Sequence, residues 1–262
     1  MQQFGITTYF GVKNNKTLSE NLDYLKSLGF NEISEGLDYV NYPLEDLYNL
    51  TKEKGMKIGS FHARYKNQNK TSFFKNNVET TKYMISLKED IAICSKYHVD
   101  NLVVHFDKEN KNDKLTPTFF KNIKELIKFA GKKNVIVCVE NLNLLLYDDV
   151  KELVKKINSP YLKICFDVGH YNAFEDNNNL KKLYEDEFFL KNIKYLHIHG
   201  NRGKNDEHLP LHYSNINILL LKEIFAKIPD ITLTSETLFT AFTNVSYEEQ
   251  AEEIMKGLKL LC

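Results

Sequence analysis

Residues 101–141 read NLVVHFDKENKNDKLTPTFFKNIKELIKFAGKKNVIVCVEN. Two short β-rich runs, 101–107 and 134–141, enclose a stretch where Ile123, Leu126, Ile127 and Ala130 recur at the spacing of one helix face. Pro117 falls where a first helical turn begins, and Gly131 where a helix is expected to have just ended. Strand, long helix, strand is the unit of a parallel sheet. The alternation continues outward in both directions. Further candidate strands are 4–10, 31–35, 57–62, 162–167, 193–199 and 231–237, which brings the number to eight. Leu18, Leu22, Leu25 and Leu28 mark a second helix face, Pro43 another helix start, and Gly29 and Gly55 further helix ends. The 262 residues allow about 33 to each unit, enough for one strand, one helix and two short loops. The expected fold class is therefore α/β: a single (β/α)8 TIM barrel, one domain over residues 1–262. An open doubly wound sheet is the alternative, and no GxGxxG follows the first strand to support it.

Composition narrows the function classes. The chain is 42% hydrophobic, with 35 Lys+Arg against 35 Asp+Glu, so it is not a grossly basic binder of polyanions. A zero balance also argues against a tight, salt-driven grip on long DNA, although a local cationic site stays open. No apolar run approaches the roughly 20 residues of a membrane span, and no membrane partner is expected. The start MQQFGITTYF lacks the basic-then-apolar order of a secretory signal, so the expected compartment is the cytoplasm. Cys94, Cys138, Cys165 and Cys262 form no CxxC pair and read as free thiols, mostly core filler. Residues 108–114 and 176–179 read as surface loops.

In such a barrel the active site lies at the C-terminal ends of the strands. Strand three ends in His62, strand four in His105, and strand five in Glu140-Asn141. Strand six ends in Asp167, with His170 three residues on. Strand seven delivers His197 and His199, with Asp206 and His208 in the loop behind it, and strand eight ends in Glu236. Six of the eight histidines belong to this rim; His98 and His212 do not. A single His at a strand end is more often a satisfied polar group, and a single Asp there often caps the next helix. Together the residues resist that reading, because converging buried carboxylates repel one another unless cations neutralise them. Imidazole and carboxylate are what zinc, manganese and similar ions select. One ion takes about four protein ligands, so nine or ten candidates suit two or three.

The ordered motifs FHARY, VVHFD, VCVENLN, CFDVGH, HIHGNRGKNDEHLPL and TSET resemble those of the xylose-isomerase-like TIM barrels, most of all the apurinic/apyrimidinic endonuclease IV branch. The resemblance spans nearly the whole chain. It implies three zinc ions held by His62, His105, Glu140, Asp167, His170, His197, Asp206, His208 and Glu236, with Glu140 bridging. His199 is additional. Strand alternation puts it on the same face as His197, so the two are candidates for the same role. There are departures. LPLHYSN stands where the branch has a glycine-rich loop, Phe106-Asp107 follows the strand-four histidine, and Lys66 follows Tyr65 in place of an apolar wedge.

Two chemistries are expected from that set. The first is a metal-dependent phosphodiester hydrolase resembling endonuclease IV. Its catalytic residues would be Glu140, Glu236 and His170, its substrate-side groups Arg64, Tyr65 and Arg202 (with Lys66 and Lys204), and its cofactor two or three zinc ions. The substrate would be abasic DNA or a small phosphorylated molecule. The second is a sugar or sugar-phosphate isomerase or epimerase. There Glu140, Asp167, His197 and Glu236 hold one Mn, Co or Mg ion, the two glutamates exchange a proton, and His170 and Arg202 meet substrate oxygens. A barrel that merely stores metal ranks below both, because open rim sites usually perform chemistry.

Overall fold

In a computed structural model of the chain, eight parallel strands alternate with helices around a closed barrel. The structure describes residues 2–8, 16–40, 42–64, 69–175, 179–228, 230–238 and 245–262. The strands are β1 (Phe4–Thr7), β2 (Glu32–Gly36), β3 (Lys57–His62), β4 (Asn101–Val104), β5 (Ile136–Glu140), β6 (Leu162–Asp167), β7 (Ile193–His197) and β8 (Leu233–Ser235). From β1 to β7 each pairs with its sequence neighbour, and β1 also pairs with β8. The ring closes between β7 and β8, where Ile198 donates to Thr234 O at 2.8 Å and accepts from Glu236 N at 3.0 Å.

The helices outside are α1 (Leu18–Leu28), α2 (Leu44–Glu53), α3 (Val78–Lys96), α4 (Pro117–Lys133), α5 (Tyr147–Ile157), α6 (Val168–Phe174), α7 (Leu180–Glu185), α8 (Glu187–Asn192), α9 (Ile218–Ala226) and α10 (Tyr247–Lys259). Their starts follow local chemistry. Thr17 and Ser246 close capping boxes with Glu20 and Glu249, and Thr116 caps α4 one residue before Pro117. Gly131 departs from its expected place: α4 runs on through it to Lys133. Asn134 ends that helix instead, in the left-handed conformation (φ 54°), where its carboxamide tolerates what a bulkier residue would not.

Strand alternation sorts the interior. On β5 and β6, Val137, Val139, Ile164 and Phe166 face the helices and join the large outer core. Cys138 and Cys165 face inward with Val103 and Tyr195 and fill the barrel floor. One further step along each inward row brings Glu140 and Asp167 to the mouth. Several expected strands stop early there. β4 ends at Val104 because the His105 carbonyl accepts from the Tyr83 hydroxyl (2.7 Å) rather than from a neighbouring strand. β7 ends at His197, where the chain turns out to form the antiparallel bridge Gly200–Leu209.

Cys94, Cys138 and Cys165 are buried free thiols and Cys262 is exposed, as expected. Lys108 departs from the surface-loop reading of 108–114, since it is buried and paired with Asp149 at 2.7 Å. Among the described residues no helix is long and apolar enough to cross a membrane.

Candidate metal centre

All ten candidate ligands converge at the mouth, and they separate into groups whose ligand atoms lie within 4.8 Å of one another. His62, His105 and Glu140 form one; Glu140, Asp167, His197 and Glu236 form a second; His170, His199, Asp206 and His208 form a third. Glu140 belongs to two of them, and with His197 it also meets the buried Cys165 thiol in a further group that the expected ligands did not include. Its Oε2 lies 3.0 Å from His105 Nε2, 3.6 Å from His62 Nε2 and 3.3 Å from His197 Nδ1, while Oε1 lies 3.1 Å from His170 Nδ1. His197 and His199 therefore do not compete for one role, as their shared face suggested. His197 Nδ1 sits 3.3 Å from Glu140 and from Glu236, whereas His199 Nε2 faces Asp167 at 3.2 Å and Asp206 at 3.5 Å.

Three imidazoles are oriented by backbone carbonyls. Nδ1 of His62 faces Ala63 O (3.0 Å), that of His170 faces Asn141 O (2.9 Å), and that of His208 faces Glu236 O (2.8 Å). Donation from Nδ1 leaves each Nε2 lone pair aimed into the site, the outer-shell arrangement that presents histidine to a metal. His208 holds this pose with a positive φ of 48°, uncommon for a residue other than glycine. Asp167 does cap a helix, as the plain reading allowed: its Oδ1 accepts from His170 N at 2.5 Å. Its Oδ2, however, is buried with no hydrogen-bond partner, and so are both ring nitrogens of His197 and His199. Orphaned buried polar atoms are rare and costly. Here His197 Nδ1 stands 3.3 Å from Glu140 and from Glu236, and His199 Nε2 stands 3.2 Å from Asp167 and 3.5 Å from Asp206, so the donor set fits divalent cations.

The electrostatics agree. Burial would raise Glu140, but His197 and His105 hold its carboxyl well below the usual range. Burial pushes Glu236 up to about 8. Burial drives His105 down to about 3 and also lowers His199, which keeps both neutral. Burial would lower His197 and His208 too, yet Glu236 and Glu140 hold the first, and Asp206 the second, up at about 9. One mouth thus contains both neutral imidazoles ready to ligate and others still carrying protons that a cation would displace.

A cavity of about 400 Å³ opens over the centre, and His105, Glu140, His170, Asp206, His208 and Glu236 form its floor. Its walls are Tyr39, Lys70, Leu142, Asn143, Phe174 and Leu238. The expected substrate-side arginines are not among them. Arg64 is bound to helix α3, with Nε 2.6 Å from Asp90 Oδ1 and Nη2 2.7 Å from Glu89 Oε2. Arg202 is turned outward and paired with Glu207 at 2.8 Å. Both guanidiniums are committed to nearby carboxylates, a partnership their own sequence positions do not reveal. Lys204 is exposed in the same outer loop, and Tyr65 and Lys66 lie outside the described residues. Lys70 instead is the only lysine or arginine among the described residues lining the cavity. It belongs to none of the motifs, and only the fold of the β3–α3 connection brings it there.

Fold and mouth together define a (β/α)8 barrel with His, Asp and Glu clusters able to bind metal at the C-terminal ends of its strands. The chain belongs to the xylose isomerase-like TIM barrel family, whose model matches residues 22–261. It is similar to the probable endonuclease 4 of Mycoplasmopsis pulmonis, at 24% identity over 237 residues, 80% of this chain and 82% of that protein. It spans 39% of the length of another relative, the uncharacterized protein MJ1311 of Methanocaldococcus jannaschii, 30% identical over 118 residues and 43% of this chain. It likewise spans 42% of a xylose isomerase-like TIM barrel/4-hydroxyphenylpyruvate dioxygenase fusion protein, which covers 98% of this chain at 16% identity and a TM-score of 0.73. An L-ribulose 3-epimerase structure superposes with a TM-score of 0.77 at 14% identity, covering 100% of this chain and 96% of its own. The IolI protein with a bound zinc atom also gives 0.77, at 17% identity, covering 99% and 96%. At those identities the two likenesses speak for the fold alone.

Proposed function

We propose that this protein is a metal-dependent phosphoester hydrolase with a multinuclear centre. The observation that carries the reading is the division of ten mouth residues into three groups, two of which share Glu140, with more ligands than one ion can use. When bound there, two or three divalent ions, zinc by the donor set, supply charge to hold a phosphate and to activate water near neutral pH. The chain's own part is positional. Glu140 and Asp167 anchor the centre, His62, His170 and His208 are held in register by backbone carbonyls, and Glu236, with its raised carboxyl, is placed to hold or release a proton at the floor of the cavity. Lys70 on the wall offers a cation to the anionic end of a substrate. The cavity suits a small phosphate ester or a single nucleotide drawn out of a duplex, so an abasic site belongs to the candidate substrates.

A second reading rests on a different observation. Glu140 and Glu236 each lie 3.3 Å from His197 Nδ1 within one four-residue group, two carboxylates able to serve the two faces of a carbon next to a carbonyl. The epimerase resemblance of the fold is compatible with a sugar substrate there. Elemental analysis of protein purified without chelator separates the two readings. About three zinc per chain, with cleavage of an abasic duplex or of bis(p-nitrophenyl) phosphate, is the expected result. A single manganese or magnesium with ketose epimerisation would replace the first reading by the second.

A further inference from the structure

His199 stands apart from the other nine ligands. It lies two residues past the last pairing of β7, is fully buried, and finds no hydrogen-bond partner for either ring nitrogen. Its ring is stacked on that of His208, with centroids 3.9 Å apart and planes 15° from parallel, and it meets His170 edge-on at 5.7 Å. The fold has made room for it. A Cβ at Gly169 would stand 1.9 Å from His199 Cε1, so any other residue at 169 would occupy the ring's place. Asn201 secures that glycine by donating from Nδ2 to its carbonyl at 2.7 Å, and Asn172 holds Asn201 in turn, also at 2.7 Å. His170, Asp206 and His208 line the cavity, whereas His199 approaches the same point from the barrel side.

We infer that His199 is a fourth protein ligand that closes the His170–Asp206–His208 site, making it a permanently occupied structural ion site rather than one that receives substrate. The inference rests on the metal-centre reading above and sharpens it. A zinc ion bound by four protein groups has a complete tetrahedral shell, and such closed sites are structural. The open coordination, and with it the place for substrate, then falls to the His62–His105–Glu140 group, which offers three protein ligands, two of which, His105 and Glu140, line the cavity with Lys70.

Counting imidazoles tests this on the unaltered protein. The third group contains three histidines with His199 and two without it; the first group contains two and the second one. Zinc-loaded protein is dialysed against EDTA until one ion per chain is left, and zinc K-edge X-ray absorption counts the imidazoles around it. Three are expected; two or fewer overturns the inference. In parallel, His199→Asn is expected to release that last ion at least about 10-fold faster than the wild type, the scale on which histidine environments tune metal affinity. Gly169→Ala, which leaves His199 in the chain but displaces its ring, is expected to do the same. Unchanged release in both variants overturns the inference while leaving the multinuclear centre standing. A wild type that never holds more than one ion overturns both.

Discussion

The two ends of the barrel treat buried glutamates in opposite ways. At the floor, Glu32 is fully satisfied: Lys57 lies 2.8 Å from Oε2, and Tyr195, Thr232 and Thr234 donate their hydroxyls at 2.9, 3.2 and 3.4 Å. Gly59 clears the space for it, since a Cβ there would fall 1.9 Å from Glu32 Cδ. At the mouth, Glu140 and Glu236 pair with imidazoles but also lie beside each other and Asp167, and buried nitrogens and oxygens around them lack partners. Clustered unsatisfied buried polar groups are costly, and a bound ion is one way to complete them. The floor is therefore part of the architecture, and the mouth gathers side chains able to bind metal.

This contrast can be broken by substitution. The largest effect is expected from Glu140→Gln, which removes the carboxylate common to two groups. Elemental analysis should find at most one ion left, and turnover should fall by more than the about 100-fold that losing an outer-shell partner costs. Retention of full metal content would contradict the bridging role. At the floor, Glu32→Ala should cost about 2 kcal/mol in denaturant unfolding, because the Tyr195 hydroxyl is left buried without its acceptor. Metal content and activity should be unchanged, and loss of metal would dissolve the distinction between the two ends.

Titration sharpens the comparison further. In metal-free protein, His197 and His208 are held up at about 9, so their stabilising contribution is complete below pH 6.5 and disappears as pH rises through 9. Glu236, raised to about 8, acts in the same direction, because the fold favours its protonated form. Thermal melts in EDTA should therefore fall between pH 6.5 and 9. With zinc present the trend should reverse, since ligation must displace those protons and strengthens as they leave. A metal-free melting temperature that rises over this range would disprove the assignment. The smallest effect is expected from Lys70→Ala: KM for an anionic substrate should rise about 10-fold, roughly one charge-assisted contact, with metal content intact. No change with a substrate that is turned over would remove Lys70 from the recognition of substrate.

That the ten candidate residues meet at one rim was legible in the sequence. Most sit at or just beyond a strand end, where period-two alternation and barrel topology oblige them to reach the mouth, while Asp206 and His208 are carried there by the loop after β7; His62 and Asp167 end β3 and β6 at their expected positions. Strand lengths were less legible. Residues 105–107 look β-rich, yet the Tyr83 hydroxyl takes the His105 carbonyl out of the ladder. Arg64 and Arg202 show the harder limit. A positive charge beside a ligand motif suggests substrate contact, but the nearest carboxylate in space claimed each guanidinium, in one case from a helix some 25 positions along the chain.

By itself, the sequence determined the barrel and the rim at which imidazole and carboxylate side chains able to bind metal collect. These follow from local periodicity and from where strands end, and both are written in consecutive residues. Tertiary structure alone decided how ten ligands divide into three groups, that His197 and His199 serve different ones, and that Lys70 rather than either arginine reaches the cavity. Those outcomes depend on distances of 3 to 4 Å between side chains carried by different strands and loops. Such distances are set by strand register and by the room that Gly169 leaves, and no pattern along a single segment contains them.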